Sequence, residues 1–320
     1  MLLRILPTTL VLLFFLVTQT HAISEATYEL LAFHSQLSDI AYCVQTVRSP
    51  TQLRHPFKCG VQCRKTQFEG LEVIHTFVHK PASPALTGYM AVDHTNQTKY
   101  VVFRGTNSLE DSMLDLSFGY EPTASPSFLK DACPECKVQG AILEAYEAFW
   151  AENCDQLSEF LYEDYPHYSL SLTGHSLGGV AAALLATDIK VQGLDPLLIN
   201  FGQPQYANLA YAQLVDSLFF PQTDKEVIDP LYDSPQRRLY RVTHWNDLFV
   251  SLPGQRGFFH SLGEVYISYP WVKPPRRTIR YCEGPQSEYC HGGDYNPLER
   301  ANFLKNHLAY FGWIGYCPYL

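Results

Sequence analysis

The stretch HYSLSLTGHSLGGVAAALLA, residues 167–186, joins two segments of opposite character. From His167 to Thr173, Tyr168, Leu170 and Leu172 alternate with polar neighbours, the period-two pattern of a strand. From Gly178 to Ala186 the residues are small and apolar, and their Ala and Leu content favours a helix packed closely against a flat surface. Between them lies Gly174-His175-Ser176-Leu177-Gly178, a G-x-S-x-G pentapeptide. In isolation it is an ordinary glycine-rich turn; between a strand and a helix it reads as a nucleophile elbow. So tight a turn puts the serine at a strained backbone angle, and the residues two before and two after it must be nearly atomless to avoid collision. Ser176 is then a nucleophile held at the edge of a sheet, with the Leu177 amide aimed where an oxyanion would form.

Working outward, residues 1–22 read as a secretory signal peptide. Arg4 is followed by an apolar run from Leu10 to Val17 and by Thr20-His21-Ala22, with small residues near the cleavage point. The run is short for a membrane span, which disfavours the rival reading as a signal anchor, and no other long apolar stretch follows. The mature chain, residues 23–320, is expected to be soluble and to form a single α/β domain. Its charge moves from −9 to −10 when Arg4 leaves. An acidic surface without a basic run argues against nucleic acid and against anionic lipid as partners.

Secretion gives meaning to the nine cysteines, because most should pair in an oxidising compartment and an odd count leaves one over. Cys59/Cys63, Cys133/Cys136 and Cys282/Cys290 are close partners in loops, and Cys43 and Cys317 remain for a long clasp between the chain ends. Cys154 falls in a helix expected over Ile142–Tyr162, where a buried thiol is the usual fate. Cys133-Pro-Glu-Cys136 lacks the βαβ setting of a redox site, and no His/Cys set repeats at zinc-ligand spacing.

A helix is expected over Ser24–Val44, with Tyr28, Leu31, Leu37, Ile40 and Ala41 on one side. Strands follow over Leu71–His79, Leu86–Asp93 and Lys99–Arg104, and Asn96 in the last turn heads the one N-glycosylation sequon. Beyond the elbow come strand Leu197–Phe201, helix Ala207–Phe219, strands Leu239–Thr243, Glu264–Ser268 and Thr278–Tyr281, and a last helix near Leu298–Tyr310. Thr223–Gln236 reads as a surface loop. This alternation predicts a mostly parallel sheet with helices on both faces.

A serine needs a base to take its proton and a carboxylate to orient that base. In this architecture the order is Ser, Asp or Glu, then His. Asp247 follows the strand Leu239–Thr243 at the carboxyl edge of the sheet, where α/β sheets place their sites. His260, His291 and His307 come after it; His291 sits in a Gly-rich loop beside Cys290, and spacing does not separate His260 from His307.

At this point the chain resembles the class 3 lipases of fungi, most closely their secreted yeast branch, from about Leu37 to Phe311. The resemblance is carried by Phe103-Arg104-Gly105-Thr106-Asn107-Ser108-Leu109-Glu110-Asp111, Thr173-Gly174-His175-Ser176-Leu177-Gly178-Gly179, Phe201-Gly202-Gln203-Pro204, Arg241-Val242-Thr243-His244 leading to Asp247, and Asn306-His307-Leu308-Ala309-Tyr310-Phe311. It implies an α/β-hydrolase fold with the triad Ser176, Asp247 and His307, and leaves His260 a structural role. It also implies an oxyanion hole from Thr106 and the Leu177 amide, with Asp115 holding the Thr106 hydroxyl. The disulfides it implies are Cys43–Cys317, Cys59–Cys63, Cys133–Cys136 and Cys282–Cys290, with Cys154 free. Ser108–Tyr120 becomes an amphipathic lid, its apolar face Leu109, Met113, Leu114 and Leu116 able to rest on an oil–water interface.

Two positions depart from the family pattern. Gln139-Gly140-Ala141-Ile142 stands where relatives carry His-x-Gly-Phe, and Asp247-Leu248-Phe249-Val250 where they carry Asp-x-Val-Pro. Both are expected to reshape the acyl pocket and to leave the triad untouched. The expected protein is thus a secreted, monomeric triacylglycerol lipase without metal or cofactor. The alternatives are an esterase for small soluble esters of the feruloyl type and a non-catalytic lipid-binding relative.

Overall fold

Tyr100, Val101, Val102 and Phe103 are all buried, yet alternate residues enter different apolar layers, as a strand with two covered faces requires. The structure is a computed structural model that describes residues 22–44, 53–60, 62–78, 86–106, 121–223, 228–254, 257–294, 302–315 and 317. Among these residues eight strands form one sheet in chain order: β1 Leu71–Phe77, β2 Gly88–Asp93, β3 Thr98–Phe103, β4 Ser169–His175, β5 Leu197–Phe201, β6 Leu239–His244, β7 Glu264–Ile267 and β8 Ile279–Tyr281. β1 to β3 form an antiparallel meander, β3 to β7 run parallel, and β8 returns antiparallel.

Parallel neighbours need long crossovers. Helix α1, Glu25–Ile40, precedes the sheet, and three helices supply crossovers: α2, Gly140–Ser158, from β3 to β4; α3, Leu177–Val191, from β4 to β5; and α4, Leu209–Phe219, from β5 to β6. A short α5, Phe303–Leu308, closes the chain. Val101, Phe103, Leu172, Leu198 and Leu239 pack under α2 to α4, while the opposite face meets α1 and the C-terminal segment. The mostly parallel sheet with helices on both faces is therefore the architecture expected from the sequence. No helix among the described residues is long and apolar enough to cross a membrane.

The contact of α1 with β4 is polar. His34 meets Ser171 at 2.8 Å, Ser38 meets Thr173 at 3.2 Å, and Tyr42, in the 3-10 turn Ala41–Cys43, meets His175 at 2.8 Å. The register is geometric: four helical residues rise about 6 Å and two strand residues about 6.6 Å, so the rows stay matched. The apolar residues expected on α1 are buried at Leu31, Leu37, Ile40 and Ala41, but this polar row beside them was not foreseen.

Buried histidines couple this core to pH, among them His260, which burial holds well below its usual value. Burial lowers His34 to about 4, His244 to about 4 and His175 to about 3. Each is neutral when folded and takes a proton near 6.5 when unfolded, so stability is whole above that pH and declines as pH falls towards the folded values. Each contributes up to about 1.4 kcal/mol per pH unit. Asp216, raised to about 6 by burial, and Asp188, also raised by burial, act in the opposite sense. We expect a net loss on the order of 1–3 kcal/mol per unit below pH 6. Urea midpoints that hold from pH 7 to pH 6.5 and fall between pH 6 and pH 5 match this; equal midpoints at pH 6 and pH 5 contradict it.

Several element ends differ from expectation for local reasons. β4 starts later and runs through Gly174 and His175 directly into the turn. α2 starts at Gly140 because the Gln139 side chain accepts the Ile142 N–H at 2.7 Å. Its far end widens into a π-turn, Glu159–Glu163, where the buried Lys99 ammonium donates to the carbonyls of Phe160, Leu161 and Asp164 at 2.7, 3.1 and 2.9 Å. The described part of the last helix stops at Leu308 because Ala309 bridges Trp313 in a turn. Residues 1–21 of the expected signal peptide lie outside the described residues.

Disulfides join Cys43–Cys317, Cys59–Cys63, Cys133–Cys136 and Cys282–Cys290. Cys154 is free but exposed, which corrects the expectation of a buried thiol. It follows the buried Asn153 of α2 by one residue, about 100° around the helix, and so turns to solvent. The Cys43–Cys317 bridge spans 274 residues, and closing so long a loop is worth on the order of 5 kcal/mol in the chain-entropy model. It also ties down the segment that follows α5. With Cys43→Ser and Cys317→Ser together, esterase activity is expected to disappear on heating before far-UV dichroism does. Loss of both signals at one temperature would refute the anchoring role.

Candidate active site

The geometry starts at the turn between β4 and α3. Ser176 has φ 58° and ψ −129°, a region that costs a residue with a Cβ about 1–3 kcal/mol. A Cβ at Gly174 would lie 2.2 Å from the Gly178 carbonyl oxygen, and one at Gly178 would lie 2.4 Å from that of Phe103. Both glycines are therefore required by close approach. The Ser176 N–H donates to the Phe201 carbonyl at 2.9 Å, which ties the turn to β5.

His307 of α5 and Asp247, after β6, are both fully buried. The imidazole Nδ1–H lies 2.9 Å from each carboxylate oxygen. Asp247 also accepts the Tyr310 hydroxyl at 2.7 Å on Oδ2 and the Phe249 N–H at 3.1 Å on Oδ1. Burial alone would raise this carboxyl, but His307 and the hydrogen bonds from His307 and Tyr310 outweigh it and hold Asp247 below the usual carboxylate value. Asp247 is thus ionised, and it fixes the His307 tautomer with the proton on Nδ1 and a lone pair on Nε2.

Room for this pair comes from Gly202, at φ +58°, where a Cβ would lie 2.9 Å from His307 Cε1 and 3.1 Å from Asp247 Oδ2. The His307 ring stacks on Phe249, with centroids 3.9 Å apart and planes at 17°, and its other neighbour is His175 at 4.5 Å. His175 donates from Nε2 to the His307 carbonyl at 2.7 Å and accepts the Tyr42 hydroxyl at Nδ1. Burial lowers His175 to about 3, so it is a neutral spacer between Tyr42 and His307. Ser176 Oγ and His307 Nε2 are both buried and have no hydrogen-bond partner among the described residues. Such pairs are often loose without substrate.

Leu177 opens α3, where an N–H has no carbonyl of its own helix to bond. Gly105 touches the same turn, since a Cβ there would lie 3.0 Å from Ser176 Cβ, and the next residue, Thr106, is half-buried. The expected lid residues Leu109, Met113, Leu114 and Leu116, and Asp115, lie outside the described residues. His260 is buried and donates from Nε2 to the Val250 carbonyl at 2.8 Å, making no bond to the Asp247 carboxylate.

The two departures have different consequences. Gln139 caps α2. Phe249 was expected to leave the triad positions untouched, and it does not: its ring is stacked on His307 and its amide bonds Asp247. A large aromatic where the pattern has valine fills the space over the imidazole. Tyr42, His175, Gly202 and Tyr310 were all absent from the expected site. Only Tyr310 carried a local signal, three residues beyond His307 in the sequence.

Residues 100–257 match the class 3 lipase family. The chain is 31% identical over 290 residues to secreted mono- and diacylglycerol lipase 2 of Gibberella zeae, an alignment spanning 81% of this chain and 67% of that protein. It is 31% identical over 229 residues to putative lipase LIH1 of Saccharomyces cerevisiae, spanning 66% of this chain and 67% of the relative. Among solved structures, LIP2 lipase of Yarrowia lipolytica superposes with a TM-score of 0.85 at 34% identity, over 94% of this chain and 99% of that one.

Proposed function

We propose, from the premise that this chain belongs to the class 3 lipases, that it is a secreted acylglycerol lipase with Ser176 as nucleophile, His307 as general base and Asp247 as the residue that orients the base. One observation carries this reading: His307 Nδ1–H is held by Asp247 at 2.9 Å, while His307 Nε2 and Ser176 Oγ are both buried without a hydrogen-bond partner among the described residues.

Ser176 Oγ attacks the ester carbonyl as its proton passes to His307 Nε2. The negative charge forming on the carbonyl oxygen is met by the Leu177 and Thr106 amides and the Thr106 hydroxyl, each donor worth about 3 kcal/mol of barrier. The complex collapses as His307 returns the proton to the departing alcohol. Water, deprotonated by His307, then releases the fatty acid and regenerates Ser176. In this reading Asp115 holds the Thr106 hydroxyl, and the apolar face of Leu109, Met113, Leu114 and Leu116 meets the oil surface.

The relative from Gibberella zeae is named for mono- and diacylglycerols, and we extend the class to triacylglycerols for this chain. Secretion is supported by four disulfides, which persist in oxidising compartments, and by the secreted relatives. A glycan on Asn96 is supported by its exposed place in the turn between β2 and β3.

The test varies tributyrin across its solubility limit. A lipase with an interfacial lid is expected to show a rise in rate once droplets form. Saturation below that limit, with no rise above it, would instead assign an esterase for small soluble esters.

A further inference from the structure

The segment Cys290–Asp294 belongs to none of the three proposed catalytic residues, yet it grips the turn that carries Asp247 at two successive points. His291 donates from Nε2 to the main-chain oxygen of Asp247 at 2.7 Å. Asp294 accepts the Asn246 N–H on Oδ2 at 3.1 Å. Asn246 has φ +53°, a conformation that persists in a residue with a Cβ only where its surroundings over-determine it. These two bonds flank the strained residue and provide that constraint.

The segment is itself fixed from several sides. The disulfide to Cys282 ties it to the end of β8. The His291 N–H donates to Glu264 Oε1 of β7 at 3.3 Å, and the same oxygen accepts the Thr243 hydroxyl of β6 at 2.7 Å. Glu264 is balanced by the buried Arg241 guanidinium at 3.4 Å. Asp294 Oδ1 accepts the Tyr266 hydroxyl at 2.7 Å. The 3-10 turn His291–Gly293 is tight enough that a Cβ on Gly293 would lie 1.9 Å from the Glu288 carbonyl oxygen. His291, Glu264 and Arg241 are all buried, and Asp294 is half-buried.

We propose that His291 and Asp294 are positioning residues for Asp247, forming a bracket closed by the Cys282–Cys290 disulfide that holds the carboxylate against His307. The proposal rests on the reading of Asp247 as the orienting acid. A shift of about 1 Å in such a group costs about 100-fold in rate even when the cause lies away from the chemistry. His291 works through its N–H and not through charge, because the group it bonds is a neutral carbonyl. A glutamine, whose amide nitrogen reaches the place of the imidazole Nε2, therefore replaces it in kind, and a leucine does not.

The test compares kcat and KM for soluble p-nitrophenyl butyrate in the full-length chain carrying His291→Leu, His291→Gln, Asp294→Asn or Cys282→Ser with Cys290→Ser. Asp247→Asn is the reference, and folding is followed by far-UV dichroism. His291→Leu is expected to lower kcat roughly 30- to 100-fold with KM unchanged, and His291→Gln to stay within about fivefold of the parent. Asp294→Asn and the disulfide variant are expected to lose about tenfold each in kcat with their dichroism intact. Parental kcat in folded His291→Leu overturns the bracket, as does a glutamine variant no better than the leucine one, which makes the role one of bulk. Should His291→Leu not fold, parental kcat in both Asp294→Asn and the disulfide variant overturns it equally. Near-parental activity in Asp247→Asn marks failure of the triad reading itself; a crippled Asp247→Asn beside an active His291→Leu marks failure of the bracket alone.

Discussion

Ser176→Ala is expected to lower kcat on soluble nitrophenyl esters by about 10⁶-fold while leaving the melting temperature unchanged or slightly higher. The loss follows from removing the atom that forms the acyl-enzyme, since the base and the oxyanion donors cannot supply a substitute nucleophile. The retained stability follows from the environment of that atom. Ser176 Oγ is buried and bonds nothing among the described residues, so its removal breaks no internal hydrogen bond and relieves an unsatisfied polar group. The strained backbone persists with alanine, because the flanking glycines and the Phe201 carbonyl set it. Activity and melting temperature measured on one preparation therefore separate lost chemistry from lost folding. A fall in both would assign Ser176 a structural role.

Asp247→Asn should cost about 10⁴ in kcat with little change in KM, and it should also destabilise. Both carboxylate oxygens receive N–H or O–H donors: His307 Nδ1 on each, Tyr310 on Oδ2 and Phe249 on Oδ1. An asparagine has one oxygen, so whichever way its amide turns, an NH₂ faces a donor. If that NH₂ meets His307, the imidazole accepts at Nδ1 and carries its proton on Nε2, which removes the lone pair needed against Ser176. If it meets Tyr310 and that hydroxyl loses its acceptor, a buried donor is stranded at about 1–3 kcal/mol. Steady-state kinetics with a thermal melt checks both effects. Activity within tenfold of the parent would show that Asp247 does not set the tautomer.

How much of this was legible depends on how local the signal was. The elbow could be read because its cause lies within a few residues: a period-two segment, two obligatory glycines and a small-residue helix. Asp247 was legible as the first acid beyond a strand at the carboxyl edge. Spacing did not separate His260 from His307, and the reason is visible in space. His260, His291 and His307 are all buried around one turn, and they differ only in whether they bond Val250 O, Asp247 O or the Asp247 carboxylate. Spacing does not encode that choice; the family resemblance was needed to name His307. The polar row His34, Ser38 and Tyr42 was hidden because polar residues four apart on a helix normally face water. Here they face Ser171, Thr173 and His175 of β4. Phe249 was hidden for a different reason: a substitution between apolar residues looks neutral until the ring is found over the His307 imidazole.

Ser176, activated by His307, is proposed as the nucleophile. This assignment is tested most directly by treating the folded protein with a fluorophosphonate and mapping the adduct by peptide mass spectrometry. A single adduct is expected on Ser176, formed in step with the loss of hydrolysis and absent from both Ser176→Ala and His307→Ala at the same reagent exposure. An adduct on another residue, or full hydrolytic activity in protein that is never labelled at Ser176, would contradict the account.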